Sequence, residues 1–388
     1  MAKGFEDTFL YVYYPLLSAN EVGGDPRLLG TDVSDFHVYN LRRAERSPHA
    51  LNATATHDTK RGEDIRARLN VLSEIPDEWT RAVTRWRRLN AGRRRRRGGK
   101  RVPDGNDEYF LYQTLMGAWP FDDSELPRFR ERLRDYLVKA VREAKVHTAW
   151  LKPDEGYEGA FLGFAEDLLD PVRGKGFQED FLPFQRKVAR LGIVNSLAQV
   201  LLKVACPGVP DFYQGTELWD LALVDPDNRR PVDFALRAKL LRELRNRFAD
   251  APTTLLAELT ETPETGRVKL FLVHRLLKAR RERETLFRDG AYLPIAVQGP
   301  RAEHVFAFAR TRGGSWALGV VPRLTAKLTQ DPRWSVGEEV WGETSLRLPN
   351  GAPRDWTDAV TGRETAVELD VPVAFLLRSF PVALLSNR

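Results

Sequence analysis

The chain has 388 residues, 42% of them hydrophobic, with nine Trp, one Cys and a formal charge of +6. That length predicts two or three domains rather than one core, and a single cysteine, Cys206, excludes an internal disulfide framework and a multi-cysteine metal site. No run of about 18 uncharged apolar residues occurs, which argues against a membrane span. The N-terminal stretch MAKGFEDTFLYVYY carries Glu6 and Asp7 ahead of its apolar run and does not read as a signal peptide. The expectation is a cytoplasmic protein. Five of the six net charges sit in Arg93 to Arg97, followed by Gly98, Gly99, Lys100 and Arg101. A phosphate-tracking face would spread its cations and interleave aromatics, so the run reads as a solvated inter-helix loop and no nucleic-acid partner is expected.

In chain order, LNATAT (51–56) predicts a short strand of small residues. From Glu63 the apolar positions Ile65, Leu69 and Leu72 take helical spacing, with Glu63 and Asp64 favouring the helix N-terminus. His57 to Arg61 therefore fall at a strand-to-helix junction. In parallel α/β folds the C-terminal strand ends carry the chemistry. A helical block follows, with Trp79, Val83 and Trp86 on one stripe after Pro76-Asp77. Ser124 is a candidate cap for a helix whose apolar face is Leu126, Phe129, Leu133, Leu137, Val141 and Ala144. Another helix is expected over 184–205, then a short strand at Val209 to Tyr213 turning at Gln214-Gly215-Thr216-Glu217. Residues 268–283 read as helix. Beyond about residue 290, short apolar runs between turns, with Val360-Thr361-Gly362-Arg363 as a hairpin turn, predict a small all-β domain.

Four stretches, MAKGFEDTFLYVYYPLLSANEVGGDP, TATHDTKRGEDIRARL, NDEYFLYQTLMGAWP and PGVPDFYQGTELWDLALVDPDNRRPVD, resemble maltooligosyl trehalose synthase, of the α-amylase superfamily, in the order found there. They cover most of residues 1–234. The resemblance implies an α/β fold: the C-terminal portion of a (β/α)8 TIM barrel with a helical insertion, followed by the all-β domain. The expected division is a barrel segment with the His-Asp strand end at 1–75, the insertion at 76–183, the last barrel helices and eighth strand at 184–288, and the β domain at 289–388.

The implied reaction is an intramolecular transglucosylation. The reducing-end α-1,4 linkage of a maltooligosaccharide becomes an α,α-1,1 linkage by retaining double displacement within one closed site. His57-Asp58 matches the family's pair at the end of the seventh strand. Asp58 is then the transition-state stabiliser, and His57 a hydrogen-bond donor to the same sugar. Lys60, Arg61, Lys3 and Glu6 fall where reducing-end sugars are held. Tyr213, Gln214 and Glu217 fall on the site wall, and Arg229 in the following DPDNRR loop. For Asp58 the alternative is a helix cap; for Lys60 and Arg61 it is surface charge opposite Glu63 and Asp64; for Lys3 a terminal charge; for Glu217 and Arg229 loop-orienting roles.

In the family the nucleophilic Asp and the acid/base Glu belong to the fourth and fifth strands, upstream of the stretch matched by Met1. The implied partners are maltodextrin and a complementary N-terminal barrel chain, with no cofactor, metal or membrane. Alternative readings are an amylase-type α-glucan hydrolase or transferase, and a non-catalytic glucan-binding accessory chain.

Overall fold

The structure is a computed structural model that describes residues 2–328 and 336–387, with the side chains of Ala2 and Lys3 outside the described residues. The chain divides into two compact units. The first takes residues 2–29, 57–192 and 221–230; the second takes 30–56, 193–220 and 231–388.

The first unit is mostly helical, and its helices begin where local chemistry satisfies their first amides. Pro76 opens Pro76–Leu89, where its missing N–H costs nothing. The Asp104 carboxylate accepts from the amides of Asn106 and Asp107 and caps Gly105–Ala118. Asp154 does the same for Glu155–Leu169 through Tyr157 N–H. Ser124 does not cap its helix. Asp122 holds the Ser124 amide in a short 3-10 turn, and Leu126–Ala144 starts one turn on with Pro127. The expected stripe of that helix is buried from Phe129 to Ala144.

Trp86 is wholly buried among Trp79, Tyr112, Phe177 and Phe181, mainly in edge-to-face pairs. A close crossing is fixed at Gly117, where a Cβ would stand 2.6 Å from Ile65 Cγ2 of Glu63–Asn70.

The arginine run departs from the expected loop. Arg95–Arg97 pairs antiparallel with Lys100–Val102 across Gly98-Gly99, both at positive φ, as a tight hairpin turn requires. Arg94 bonds Glu108 at 3.1 Å and Arg97 bonds Asp154 at 2.7 Å. These pairings order a charge block that repulsion alone would leave solvated.

The second unit contains two kinds of sheet. Leu51–Ala53 and Val209–Asp211 pair in parallel, Leu51 opposite Val209. From Ala291 onward the texture is antiparallel. Six strands run in the order Glu364–Ala366, Asp355–Asp358, Ala383–Ser386, Ser315–Pro322, Val305–Arg312, Ala291–Pro294, and three more in the order Asp370–Pro372, Ser345–Arg347, Ala296–Gln298. Val305, Ala307, Leu318, Val320 and Leu385 of the larger sheet share one core with Leu346 and Val371 of the smaller. The hairpin turn at 360–363 closes as expected, with Gly362 at φ 76° and its amide donating to Asp358 O at 2.8 Å.

The larger sheet is buried on its other face too. A Cβ at Gly319 would meet the Phe308 ring at 2.7 Å and Leu201 at 3.2 Å, so only glycine lets Ser315–Pro322 pack there. Leu201 belongs to Lys175–Ala205, a helix that begins earlier than its apolar stripe suggests and contains Pro183. By length and composition this helix could cross a membrane, yet 78% of its apolar window is buried inside the protein, as in a core helix.

Candidate functional site

The sequence-predicted residues fall in both units. In the first, the turn at His57-Asp58 follows the strand Leu51–Ala53 in sequence and leads into Glu63–Asn70, whose N-cap is Gly62 rather than Asp58. His57 is exposed and the Asp58 side chain is one-third exposed. Asn228 donates its side-chain N–H to His57 O at 3.1 Å. Gly62 N–H donates to Ala222 O at 2.7 Å. Segment 221–230 thus braces both ends of the 57–62 turn.

Beneath the turn lies Glu21. Its two carboxylate oxygens accept from the amides of Lys60 (2.7 Å) and Arg61 (3.3 Å). Lys60 points inward. Its ammonium donates to Asp7 Oδ1 at 2.6 Å, stands 4.0 Å from Asp58 Oδ1, and its side chain is only 5% exposed. Arg61 is also buried. It donates to Leu17 O, Asn20 O and the Tyr136 hydroxyl, and lies over the Phe110 ring. The guanidinium therefore ties three chain segments together and is turned away from solvent.

Glu6 accepts from Gly23 N–H at 2.9 Å. The side chain of Lys3 lies outside the described residues. Arg229 is half exposed and bonds Asp225 at 2.8 Å. Its neighbour Asp227 takes a two-pronged bond from Arg132, both contacts at 2.8 Å, and accepts from Leu223 N–H. Here the DPDNRR loop is ion-paired throughout.

In the second unit, Glu217 accepts from Arg237 Nε at 2.9 Å, while Arg237 also donates to Gly215 O. Glu217 thus orients its own loop. Tyr213 O accepts from the amide and hydroxyl of Thr216, and Gln214 is exposed.

Three residues escaped the sequence reading. Asp7 and Glu21 lie in stretches that carry the family resemblance, but no local pattern marks them as partners of Lys60 and Arg61. Lys203 did leave a signal, as a lone cation in the apolar run GIVNSLAQVLLKVA. It is buried, with Nζ 2.8 Å from Thr54 Oγ1 and 3.8 Å from the Phe212 ring centroid. It therefore links the ends of the two parallel strands.

Asp104, Asp107 and His147 bring ligand atoms within 4.8 Å of one another. Asp104 is already spent on its helix cap and on His147 Nε2 at 2.7 Å, and Asp107 accepts from the Tyr157 hydroxyl. The cluster is explained by capping and side-chain pairing.

Together these features define a mixed helix-and-sheet protein with an appended antiparallel β region. No family model matches the chain. A Mycobacterium tuberculosis (strain CDC 1551 / Oshkosh) protein provisionally named maltooligosyl trehalose synthase is 36% identical over 388 residues, 97% of this chain and 44% of that protein. The solved maltooligosyltrehalose synthase from Arthrobacter ramosus is 36% identical with a TM-score of 0.81, covering all of this chain and 45% of its own. A Sulfolobus tokodaii structure named as a hypothetical maltooligosyl trehalose synthase is 31% identical, TM-score 0.72, with 100% and 45% covered. The chain is similar along its whole length to part of each of these proteins, and it spans a little under half their length.

Proposed function

We propose that this chain supplies part of the active site of a maltooligosyl trehalose synthase. It would take a maltooligosaccharide and turn its reducing-end α-1,4 linkage into an α,α-1,1 linkage. The observation that carries the reading is the whole-length similarity to proteins of that name. It is supported by an Asp58 carboxylate held on a turn braced from three directions.

In this mechanism Asp58 accepts hydrogen bonds from hydroxyls of the sugar being cleaved, bonds that tighten as the ring flattens toward the oxocarbenium-like transition state. Exposed His57 donates to the same sugar. Glu21 and Asn228 hold the turn so that Asp58 needs no reorganisation during the reaction. The nucleophilic carboxylate and the acid/base carboxylate would come from the portion of the fold that this chain does not cover.

That portion is the partner the reading requires. Parallel strands occur in sheets covered on both faces, and among the described residues the parallel sheet has two strands only. Further parallel strands, from the same polypeptide or a second one, would complete a (β/α)8 barrel. The test mixes this chain with the uncovered portion of the Arthrobacter ramosus enzyme and follows trehalose-ended product. Asp58→Asn should cost turnover about a thousandfold or more while the two polypeptides still associate. Turnover near that of the unaltered chain would remove Asp58 from the site.

A further inference from the structure

The hairpin of Arg95–Arg97 and Lys100–Val102 has two faces with different fates. Side chains alternate along a strand, and the register sets Arg95 opposite Val102, Arg96 opposite Arg101 and Arg97 opposite Lys100. The face of Arg95, Arg97 and Val102 is turned onto the protein. Val102 is buried. Arg97 bonds Asp154 at 2.7 Å, and its guanidinium lies over Gly156, where a Cβ would stand 1.1 Å from Nη1. Arg95 lies against Gly163 of the same helix, Glu155–Leu169.

The opposite face carries Arg96 and Arg101. Both are exposed, and neither side chain has a hydrogen bond or ion pair among the described residues. Like charges directly opposite on an antiparallel pair are destabilising, with Cβ atoms only about 5 Å apart. The same closeness lets two planar guanidinium forks converge on one oxyanion. Charge and oxygen count then select the ligand. A carboxylate brings one charge and two oxygens. A phosphate monoester brings a charge near two and three acceptor oxygens, enough to neutralise both arginines and engage both forks. A nucleic-acid strand fits less well, since it needs cations spread along a track with aromatics between them, and residues 95–102 contain no aromatic.

We propose that the Arg96–Arg101 face is a binding site for a phosphate dianion, as inorganic phosphate or as the terminal group of a small monoester. The bound anion bridges the two strands and removes their mutual repulsion. It uses none of the residues assigned to the sugar.

Titration calorimetry of the full chain at about pH 8 and fixed ionic strength, where the phosphate is dianionic, tests this with inorganic phosphate and a hexose monophosphate. Saturable one-to-one binding of at least one is expected, and the tighter of the two names the source. The double variant Arg96→Gln/Arg101→Gln should bind at least about tenfold more weakly. Acetate at equal ionic strength should not compete. No saturable binding, equal affinity in the double variant, or full competition by acetate overturns the proposal. So does an oligothymidylate that binds far more tightly than the monoester. Melting gives a second readout. Without phosphate the double variant should melt no lower than the parent, because a repulsive pair has been removed, and phosphate should raise the Tm of the parent only. A variant that melts lower without phosphate would show that the two arginines serve the fold instead.

Discussion

Leu51 and Val209 stand opposite each other in a parallel strand pair, and both leave apolar surface in solvent, 64% and 39% exposed. On the proposed reading, further parallel strands would cover this surface. Leu51→Lys should barely change the unfolding midpoint of the chain by itself, because the side chain has little packing to lose. It should weaken capture of the uncovered Arthrobacter ramosus portion by roughly tenfold or more, the cost of failing to bury one leucine. Urea unfolding checks the first half and titration calorimetry the second, and equal affinity would mean that this edge plays no part in that association.

Arg61 gives the opposite expectation. Its buried guanidinium serves two backbone carbonyls and the Tyr136 hydroxyl. Arg61→Met leaves those acceptors without a donor and should cost about 2–4 kcal/mol of stability. Urea unfolding of the chain alone measures this. A loss below about 0.5 kcal/mol would show that solvent replaces the guanidinium without penalty.

His37 predicts a pH dependence. Burial lowers its pKa from the ordinary 6.5, and its Nδ1 lies 2.8 Å from the Tyr292 hydroxyl. The unfolded chain therefore binds this proton more readily than the folded one. The contribution to stability is full above about pH 6.5 and is lost as pH falls from there through the lowered folded-state pKa. Between pH 7.5 and 5.5 the Tm of the parent should fall more steeply than that of His37→Gln. Parallel slopes would remove His37 from the acid response.

Cys206 should be inert. Burial pushes its thiol up to about 12, against the opposing pull of Arg310 and Arg43. Thiolate is the reactive form, so alkylation at pH 8 should be undetectable in the folded chain and complete once it is unfolded. Rapid labelling under native conditions would show that the segment opens readily.

Much of the fold was legible because its signals are local. Helical spacing located Pro76–Leu89, Leu126–Ala144 and Arg267–Glu282, and alternating short runs located the antiparallel region. The arginine hairpin was not legible, since its order depends on Glu108 and Asp154, which lie outside the run. Ser124 is not the cap because it lies inside the 3-10 turn Asp123–Glu125, which Asp122 caps, and the α-helix begins only at Leu126. For the candidate site, the sequence placed the His57-Asp58 turn between strand and helix. The inward aim of Lys60 and Arg61 was hidden, because Asp7, Glu21 and Tyr136 meet them only through the fold.

On the proposed function, this chain helps turn a reducing-end linkage into a trehalose-type one. The most direct measurement counts reducing ends in maltopentaose incubated with the chain and the uncovered Arthrobacter ramosus portion together. Reducing ends should disappear while total carbohydrate and chain length are conserved. A rise in reducing ends, with free glucose or maltose and no non-reducing product, would contradict it.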